Sequence, residues 1–147
     1  MEVKDVMDTT VILVRGSDTF GHLINVLDKA KYHVVFVVDK NDKLVGILTE
    51  GDIVKVLIPR YINVDESLML IMNKSYFEKK SKECKDLRID KIMTRSPLSL
   101  KEDDTIIKAA AMMVINKIHA LPVVRDGKVV GIVPRLTLIK QITKIIS

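Results

Sequence analysis

The sequence predicts a mixed fold of the α+β or α/β class, in which two βαββα repeats pack sheet to sheet with pseudo-twofold symmetry. Three observations predict it. A set of residues recurs at a nearly constant spacing, each half combines a helical apolar pattern with β-branched runs, and apolar residues make up 48% of the 147 residues. A chain of this length can bury roughly 68–70% of its surface, which is enough for a real core.

The duplication is clearest in the segment that opens each half. Val3–Met7 matches Ile89–Met93 at a spacing of 86 residues, and His33 falls on His119 at the same spacing. After a one-residue gap, Gly46 falls on Gly131 at a spacing of 85. Matches that stay in register across both halves indicate an internal repeat. We expect repeats at residues 1–58 and 87–147, joined by a helical insert at residues 59–86.

The first repeat follows the order strand, helix, strand, strand, helix. A short strand is expected near residues 10–14, and Ser17–Thr19 offers N-cap side chains for the helix that follows. That helix carries apolar residues at i, i+3, i+4 and i+7, namely Phe20, Leu23, Ile24 and Leu27. The continuous β-branched run over residues 33–38 and the run over 44–48 predict two paired strands. A helix from about Gly51 to Leu57 should end before Pro59.

The second repeat shows the same order. A short strand is expected near residues 97–100, and Asp103–Thr105 should cap a helix that contains Ile106, Ile107, Ala110, Met113 and Val114. Leu121–Val124 and Val129–Val133 predict strands joined by an Asp-Gly hairpin turn. The last helix is expected from about Leu136 to Ile146.

The residue pattern of the insert predicts a helix from Asp65 to Glu83. Its apolar residues Leu68, Ile71, Met72 and Phe77 are expected to cover part of the core. Basic residues crowd the end of the insert and the start of the second repeat, namely Lys74, Lys79, Lys80, Lys82, Lys85 and Arg88, in a chain with a net charge of +5. A charge run of this kind is typical of a solvated helix face. Nucleic-acid binding is the less favoured alternative, because aromatic side chains do not interleave with the basic ones.

Several classes of protein are not expected. No segment reaches the roughly 20 apolar residues that span a bilayer, and no secretory signal is visible. The single cysteine, Cys84, cannot form an internal disulfide. We therefore expect a cytoplasmic protein without a membrane partner. No metal-ligand spacing, phosphate loop or catalytic arrangement is visible, so we expect neither a metal site nor an enzyme.

The two halves resemble a pair of cystathionine-β-synthase (CBS) domains, together called a Bateman module. The residues that carry the resemblance are the opening segments with Asp5–Met7 and Lys91–Thr94, the strands at 33–38 and 117–124, and the motif Gly46-Ile47-Leu48-Thr49-Glu50-Gly51-Asp52. The resemblance implies a stand-alone regulatory module that binds an adenosine nucleotide (AMP, ADP or ATP) between the repeats and modulates a partner protein. It also implies a homodimer and no required cofactor.

The resemblance implies a first cleft around Thr49 and Asp52. An ionised carboxylate offers two acceptors to the two hydroxyls of a ribose. From local sequence alone, a helix cap is the favoured interpretation of Thr49 and Asp52, and the resemblance reverses that preference. The opposite repeat should supply Ser96, Pro97, Leu98, Ile118, His119, Ala120 and Pro122, with Leu98 and Ala120 against the adenine and His119 near a phosphate. Arg135 is a further possible phosphate contact, although an exposed position at a helix start would also explain it.

The second cleft departs from the family pattern. Pro134 stands where a hydroxyl residue is expected, and Thr137 stands where the aspartate is expected. Proline has no hydroxyl and no N–H, and threonine has no charge. The other residues of this cleft would be Thr10, Val11, Ile12 and His33. We therefore expect one competent site and one degenerate site per chain.

Other functions stay open at this point. The clefts could stay empty in a structural or dimerisation scaffold, or the ligand could be S-adenosylmethionine or NAD. The sequence does not identify the regulated partner.

Overall fold

The computed structural model describes residues 1–58 and 74–147. The strands are β1 (Leu13–Arg15), β2 (Val35–Val38), β3 (Leu44–Leu48), β4 (Thr94–Arg95), β5 (Ala120–Arg125) and β6 (Lys128–Pro134). The helices are α1 (Phe20–Asp28), α2 (Glu50–Leu57), α3 (Tyr76–Glu83), α4 (Ile106–Asn116) and α5 (Arg135–Ile146). Short 3-10 turns occur at Val3–Asp5 and Ile89–Lys91.

The strands form one sheet in each repeat. In the first, the order is β1-β2-β3-β4, with β1 parallel to β2 and the other pairs antiparallel. In the second, β5 and β6 form an antiparallel hairpin. The strand expected near residues 97–100 is reduced to a single parallel bridge from Leu100 to Val123. This bridge is equivalent to the pairing of Val14 with Val37 at the spacing of 86 residues.

The opening segment of each repeat crosses to the other repeat. Val3 is fully buried in the apolar cluster of the second repeat, and its equivalent, Ile89, is fully buried in the cluster of the first. Thr94 pairs with Ile47 in β3, and the equivalent Asp8 forms a bridge with Ile132 in β6. The two repeats are therefore interlocked through a reciprocal exchange that follows the pseudo-twofold symmetry of the duplication.

The crossing explains why each opening segment carries a methionine and each returning strand a glycine. A β-carbon on Gly46 would collide with the Met93 side chain, and one on Gly131 would collide with Met7. The carbonyl oxygens of Thr94 and Asp8 would each lie 3.2 Å from these added carbons. A side chain larger than hydrogen would therefore separate the exchanged segments.

The sheets pack on each other through apolar side chains of both repeats. Phe36, Ala120 and Ile132 are buried at this contact, with Ile47 and Val129 among the partly buried residues around them. The prediction of two βαββα repeats packed sheet to sheet is confirmed. Helices cover the outer faces, since Leu23 and Leu27 of α1 and Ala109 and Met113 of α4 are buried in the separate repeat cores.

The predicted caps and helix ends agree closely with the structure. Thr19 accepts a hydrogen bond from the amide of His22, and Thr105 accepts one from the amide of Lys108. In the insert, the described helix is α3, and the predicted Leu68, Ile71 and Met72 lie outside the described residues. The prediction that Phe77 covers the core is wrong: 67% of its surface is exposed, because α3 is a short charged helix with no buried residue. Within residues 1–58 and 74–147, no helix combines the length and the apolar character that crossing a membrane requires.

Candidate functional site

A cavity of about 510 Å³ lies between the repeats, at the start of α2. We call it the first cavity. The first repeat contributes Tyr32, His33, Val34, Ile47, Thr49, Glu50, Gly51 and Asp52, and the segment that opens the second repeat contributes Thr94. The loop before β5 contributes Lys117, Ile118 and His119, followed by Ala120 at the start of the strand. Its volume is in the range of small-molecule sites, about 300–1,000 Å³.

Asp52 is held at the rim of this cavity by the start of α2. Its Oδ2 accepts a hydrogen bond from the amide of Thr49 at 2.9 Å and one from the Thr49 hydroxyl at 3.3 Å. This is the capping arrangement that the local sequence allowed. The cap orients the carboxylate without using its other oxygen.

The other carboxylate oxygen is contacted from the opposite repeat. Asp52 Oδ1 accepts a hydrogen bond from the Thr94 hydroxyl at 3.3 Å. A carboxylate oxygen has two acceptor sites, so Oδ1 keeps the capacity to accept a second donor. Asp52 therefore joins both repeats and still presents an acceptor to the cavity.

The charged side chains of the cavity are arranged asymmetrically. The first repeat contributes the carboxylates of Glu50 and Asp52, and His33 Nδ1 lies 2.9 Å from Glu50 Oε1. Among the described residues, the second repeat contributes the Lys117 ammonium and the His119 imidazole to the lining, without a carboxylate. A ligand with hydroxyl donors at one end and an anion at the other would match this arrangement.

The cationic side continues into an adjoining cavity of about 310 Å³. It shares Lys117, Ile118 and His119 with the first cavity and adds Arg135. The Arg135 amide donates a hydrogen bond to the His119 carbonyl at 2.9 Å, which fixes the start of α5 beside His119. Arg135 therefore lines the adjoining cavity together with Lys117 and His119.

The structure brings five of the residues predicted for the first cleft into one cavity: Thr49, Asp52, Ile118, His119 and Ala120. Ser96, Pro97 and Leu98 were also predicted for this cleft, but they follow β4 and do not line the cavity. The backbone of Ser96 has a left-handed φ of 50°. The Leu98 side chain is 45% exposed. Pro122 is buried within β5, opposite Ile132. The apolar wall expected from Leu98 comes instead from Val34 and Ile47.

The residues predicted for the second cleft separate into three places. Thr10, Val11 and Ile12 line a second cavity of about 140 Å³, together with Tyr32, Ile132 and neighbouring residues. His33 lines the first cavity and not the second. Pro134 is buried at the end of β6, Thr137 lies in the first turn of α5, and neither lines the two cavities.

A charged cluster holds two residues that line the second cavity. Asp8 Oδ2 accepts hydrogen bonds from the Tyr32 hydroxyl at 2.6 Å and from Lys31 Nζ at 3.0 Å, and Oδ1 accepts one from the Thr10 amide at 2.9 Å. These donors, with Tyr32 first, hold the pKa of Asp8 well below its ordinary value. Burial, with the hydrogen bond to Asp8, raises the pKa of Tyr32. We call Asp8, Tyr32 and Lys31 the Asp8 cluster.

Sequence reasoning missed Tyr32, Val34, Ile47, Glu50, Thr94 and Lys117 as residues of the first cavity. The repeat spacing carried a usable signal for some of them. Lys31–His33 and Lys117–His119 are equivalent segments, and segments related by a pseudo-twofold axis can meet near that axis. Within the described ranges, no group of three or more His, Cys, Asp or Glu side chains is arranged to hold a metal ion.

Comparison with known proteins agrees with the duplicated architecture. A family model described as the CBS domain matches residues 3–59 and 87–144. The chain is 33% identical to the uncharacterized protein MJ1426 of Methanocaldococcus jannaschii, over 97% of this chain and 91% of that protein.

Two solved structures have the same fold along nearly their whole length. The CBS domain pair of protein MJ0100, in complex with 5'-methylthioadenosine and S-adenosyl-L-methionine, is 26% identical with a TM-score of 0.75 and covers 98% of this chain and 97% of its own. CBSX2 in complex with AMP is 26% identical with a TM-score of 0.73 and covers 99% and 98%. Together with the family match over both repeats, these similarities show that the chain belongs to the CBS domain family, as a tandem CBS pair.

Proposed function

We propose that this chain is a regulatory module that binds an adenosine nucleotide of the AMP, ADP or ATP class in the first cavity and modulates a partner protein. The observation that carries the proposal is the position of Asp52, which presents a carboxylate oxygen to a cavity that Lys117 and His119 of the other repeat also line. The similarity to CBS pairs solved with AMP and with S-adenosyl-L-methionine supports an adenosine ligand.

Each part of such a ligand has a matching wall. A ribose hydroxyl would donate to Asp52 Oδ1, since a hydrogen bond to an ionised carboxylate is stronger than one between neutral groups. The adenine would lie between the apolar side chains of Val34, Ile47 and Ala120. The phosphate would lie beside Lys117 and His119, and further phosphates would approach Arg135.

Regulation would follow from the position of the ligand between the repeats. A ligand shifts an equilibrium between two arrangements only by its difference in affinity for them. A nucleotide that bridges Asp52 of one repeat and His119 of the other would favour the arrangement in which both are within reach. A bound partner protein would then respond to the arrangement of the two repeats, which depends on whether nucleotide is bound.

We also propose that the module is a homodimer formed through helices α4 and α5. Both helices carry exposed apolar side chains on their outer faces: Ile107, Val114 and Ile115 on α4, and Ile139, Ile142 and Ile146 on α5. A contiguous exposed apolar face is typical of an association surface. The homodimers implied by the family resemblance support a second copy of this chain as the occupant.

The test of the binding site is calorimetric titration with AMP, ADP, ATP, S-adenosyl-L-methionine and NAD. Asp52→Ala should lower nucleotide affinity by ten- to a hundredfold, from the loss of about 1.5–3 kcal/mol for hydrogen bonds to a charged group. Asp28→Ala is the matched control, because Asp28 is an exposed carboxylate on α1 outside the cavity lining. Asp52→Asn separates loss of charge from loss of the helix cap.

The titration also separates the alternatives. If S-adenosyl-L-methionine, which carries a positive sulfonium, binds most tightly, the ligand is a cationic adenosine compound and not a nucleotide. Failure of every ligand to bind would favour a scaffold with empty clefts. Wild-type affinity in Asp52→Ala would contradict the site assignment. Nucleic-acid binding through the basic insert would appear as an affinity that falls steeply with salt and ignores Asp52.

A further inference from the structure

The two clefts use the same backbone positions with an acid and a threonine exchanged. In the first, the acid Asp52 is in α2 and the hydroxyl of Thr94 comes from the opposite repeat. At the repeat spacings of 85 and 86 residues, their equivalents are Thr137 in α5 and Asp8 in the opening segment. The backbone bridges are also equivalent, Thr94 with Ile47 and Asp8 with Ile132. The second cleft has therefore kept a carboxylate, but on the opposite element.

The chain itself pairs that carboxylate with a cation, Lys31, and with the Tyr32 hydroxyl. Asp8 accepts hydrogen bonds from the Tyr32 hydroxyl, Lys31 Nζ and the Thr10 amide, at 2.6, 3.0 and 2.9 Å. Lys31 Nζ also lies 5.1 Å from the centre of the Tyr32 ring. The residue equivalent to Tyr32 in the other repeat is Ile118, which has no hydroxyl to donate. The Asp8 cluster is thus specific to the second cleft.

The second cavity, beside the cluster, is small. Tyr32 lines it and packs against the apolar contact of Phe36, Ala120 and Ile132. The volume of this cavity, which Asp8, Pro134 and Thr137 do not line, is about 140 Å³, against about 510 Å³ in the first cavity. The smaller value is below the range of small-molecule sites, roughly 300–1,000 Å³.

We propose that the Asp8 cluster fills and closes the second cleft and holds the opening segment against β6. The cleft then excludes nucleotide because the Asp8 carboxylate is already paired with Lys31 and Tyr32, and because Thr137 replaces an aspartate. Asp8 also forms two main-chain hydrogen bonds with Ile132 in β6, at 3.0 and 2.8 Å. The cluster therefore stabilises the pairing of the opening segment with β6. The closed cleft is a property of the chain without ligand. The number of nucleotides bound per chain also depends on the proposed function.

The first test needs no ligand. Tyr32→Phe keeps the ring, which also lines the first cavity, and removes the donor to Asp8. We expect hydrogen exchange at the amides of Asp8 and Ile132 to become about tenfold faster than in the wild type, as for any local opening that costs less free energy. Tyr76→Phe is the matched control, because it removes a hydroxyl that donates to the Leu57 carbonyl at 2.8 Å, on a different element. Unchanged exchange in Tyr32→Phe would overturn the proposal.

The second test counts ligands, with AMP as the probe. Pro134→Thr/Thr137→Asp restores the family side chains but leaves Asp8 in place, and we expect it to bind one AMP per chain. Adding Asp8→Thr reproduces the Thr94–Asp52 arrangement, and we expect a second AMP to bind. A second AMP without Asp8→Thr, or none with it in a chain whose helical content is unchanged, would overturn the proposal. A wild type that binds no AMP contradicts the proposed function instead, and the exchange measurement still decides whether the cluster closes the cleft.

Discussion

Thr94 donates a hydrogen bond to Asp52 across the boundary between the two repeats, at 3.3 Å from Oγ1 to Oδ1. Thr94 belongs to the segment that opens the second repeat but pairs with β3 of the first. The side chain proposed to bind ribose is therefore oriented by the other repeat as well as by its own helix cap.

We predict that Thr94→Val weakens both folding and binding. Valine keeps the shape of threonine but cannot donate, so the hydrogen bond to Asp52 is lost, at a cost of about 1 kcal/mol in the free energy of unfolding. AMP affinity should fall severalfold, because Oδ1 is no longer held toward the cavity. Urea unfolding and calorimetry check these two effects, and Thr94→Ser should restore both.

The close contacts of Gly46 with Met93 and of Gly131 with Met7 lead to a prediction about stability. Gly46→Ala and Gly131→Ala should each lower the free energy of unfolding by roughly 1–3 kcal/mol, because the added carbon collides with Met93 or Met7 and with a backbone carbonyl. Gly51→Ala is the control: its added carbon would meet only the Thr49 hydroxyl oxygen, at 3.6 Å, within a helix where alanine is favoured. Equal stability of all three variants in thermal unfolding would contradict the close approach.

The free energy of unfolding should depend on pH through the Asp8 carboxylate. Its folded-state pKa is lowered from the ordinary value of 3.8 by hydrogen bonds from Tyr32, Thr10 and Lys31. The unfolded chain therefore takes up the proton first, so this stabilisation is complete above pH 3.8 and is lost as the pH falls further. Asp8→Asn should be less stable at neutral pH and should lose less stability on acidification. Chemical unfolding at several pH values measures the slope, and a slope equal to that of the wild type would exclude Asp8 as its source.

Arg135 should discriminate between nucleotides. It lines the adjoining cavity and not the first cavity, so we expect it to contact a longer phosphate chain and not the first phosphate. Arg135→Met should lower ATP affinity by about tenfold, the value of one charge-assisted hydrogen bond, and leave AMP affinity nearly unchanged. Lys140→Met, on the exposed surface of the same helix, is the control. An equal loss for AMP and ATP would place Arg135 beside the first phosphate instead.

The proposed dimer should depend on the apolar face of α5. Ile139 and Ile142 are 57% and 55% exposed, and burial of an isoleucine contributes roughly 1.5–3 kcal/mol. Ile139→Glu/Ile142→Glu should therefore convert a dimer into a monomer in analytical ultracentrifugation. Phe77→Glu, at an exposed apolar residue of α3, should leave the dimer intact. A dimer that survives the double substitution would be formed by another surface.

Local patterns in the sequence were sufficient for the secondary structure of both repeats. The helix predicted from Gly51 begins at Glu50, and the one predicted from Leu136 begins at Arg135, because caps and apolar periodicity act over a few residues. The strand predicted at 97–100 was reduced to the Leu100 bridge, since strand formation depends on a partner that is distant in the sequence. The position of Phe77 was missed for the same reason.

The sequence by itself determined the duplication, the order of the elements, the Thr49–Asp52 pair on α2 and the departure of Pro134 and Thr137 from the repeated motif. Only the tertiary structure decided that the opening segments exchange between repeats, which places Thr94 on Asp52 and Asp8 on Tyr32. It also placed His33 in the first cavity and left Leu98 outside it. The physical reason is that the equivalence of two segments along the chain gives no information on which of them crosses the pseudo-twofold axis, whereas the side chains that share a cavity are determined by that crossing.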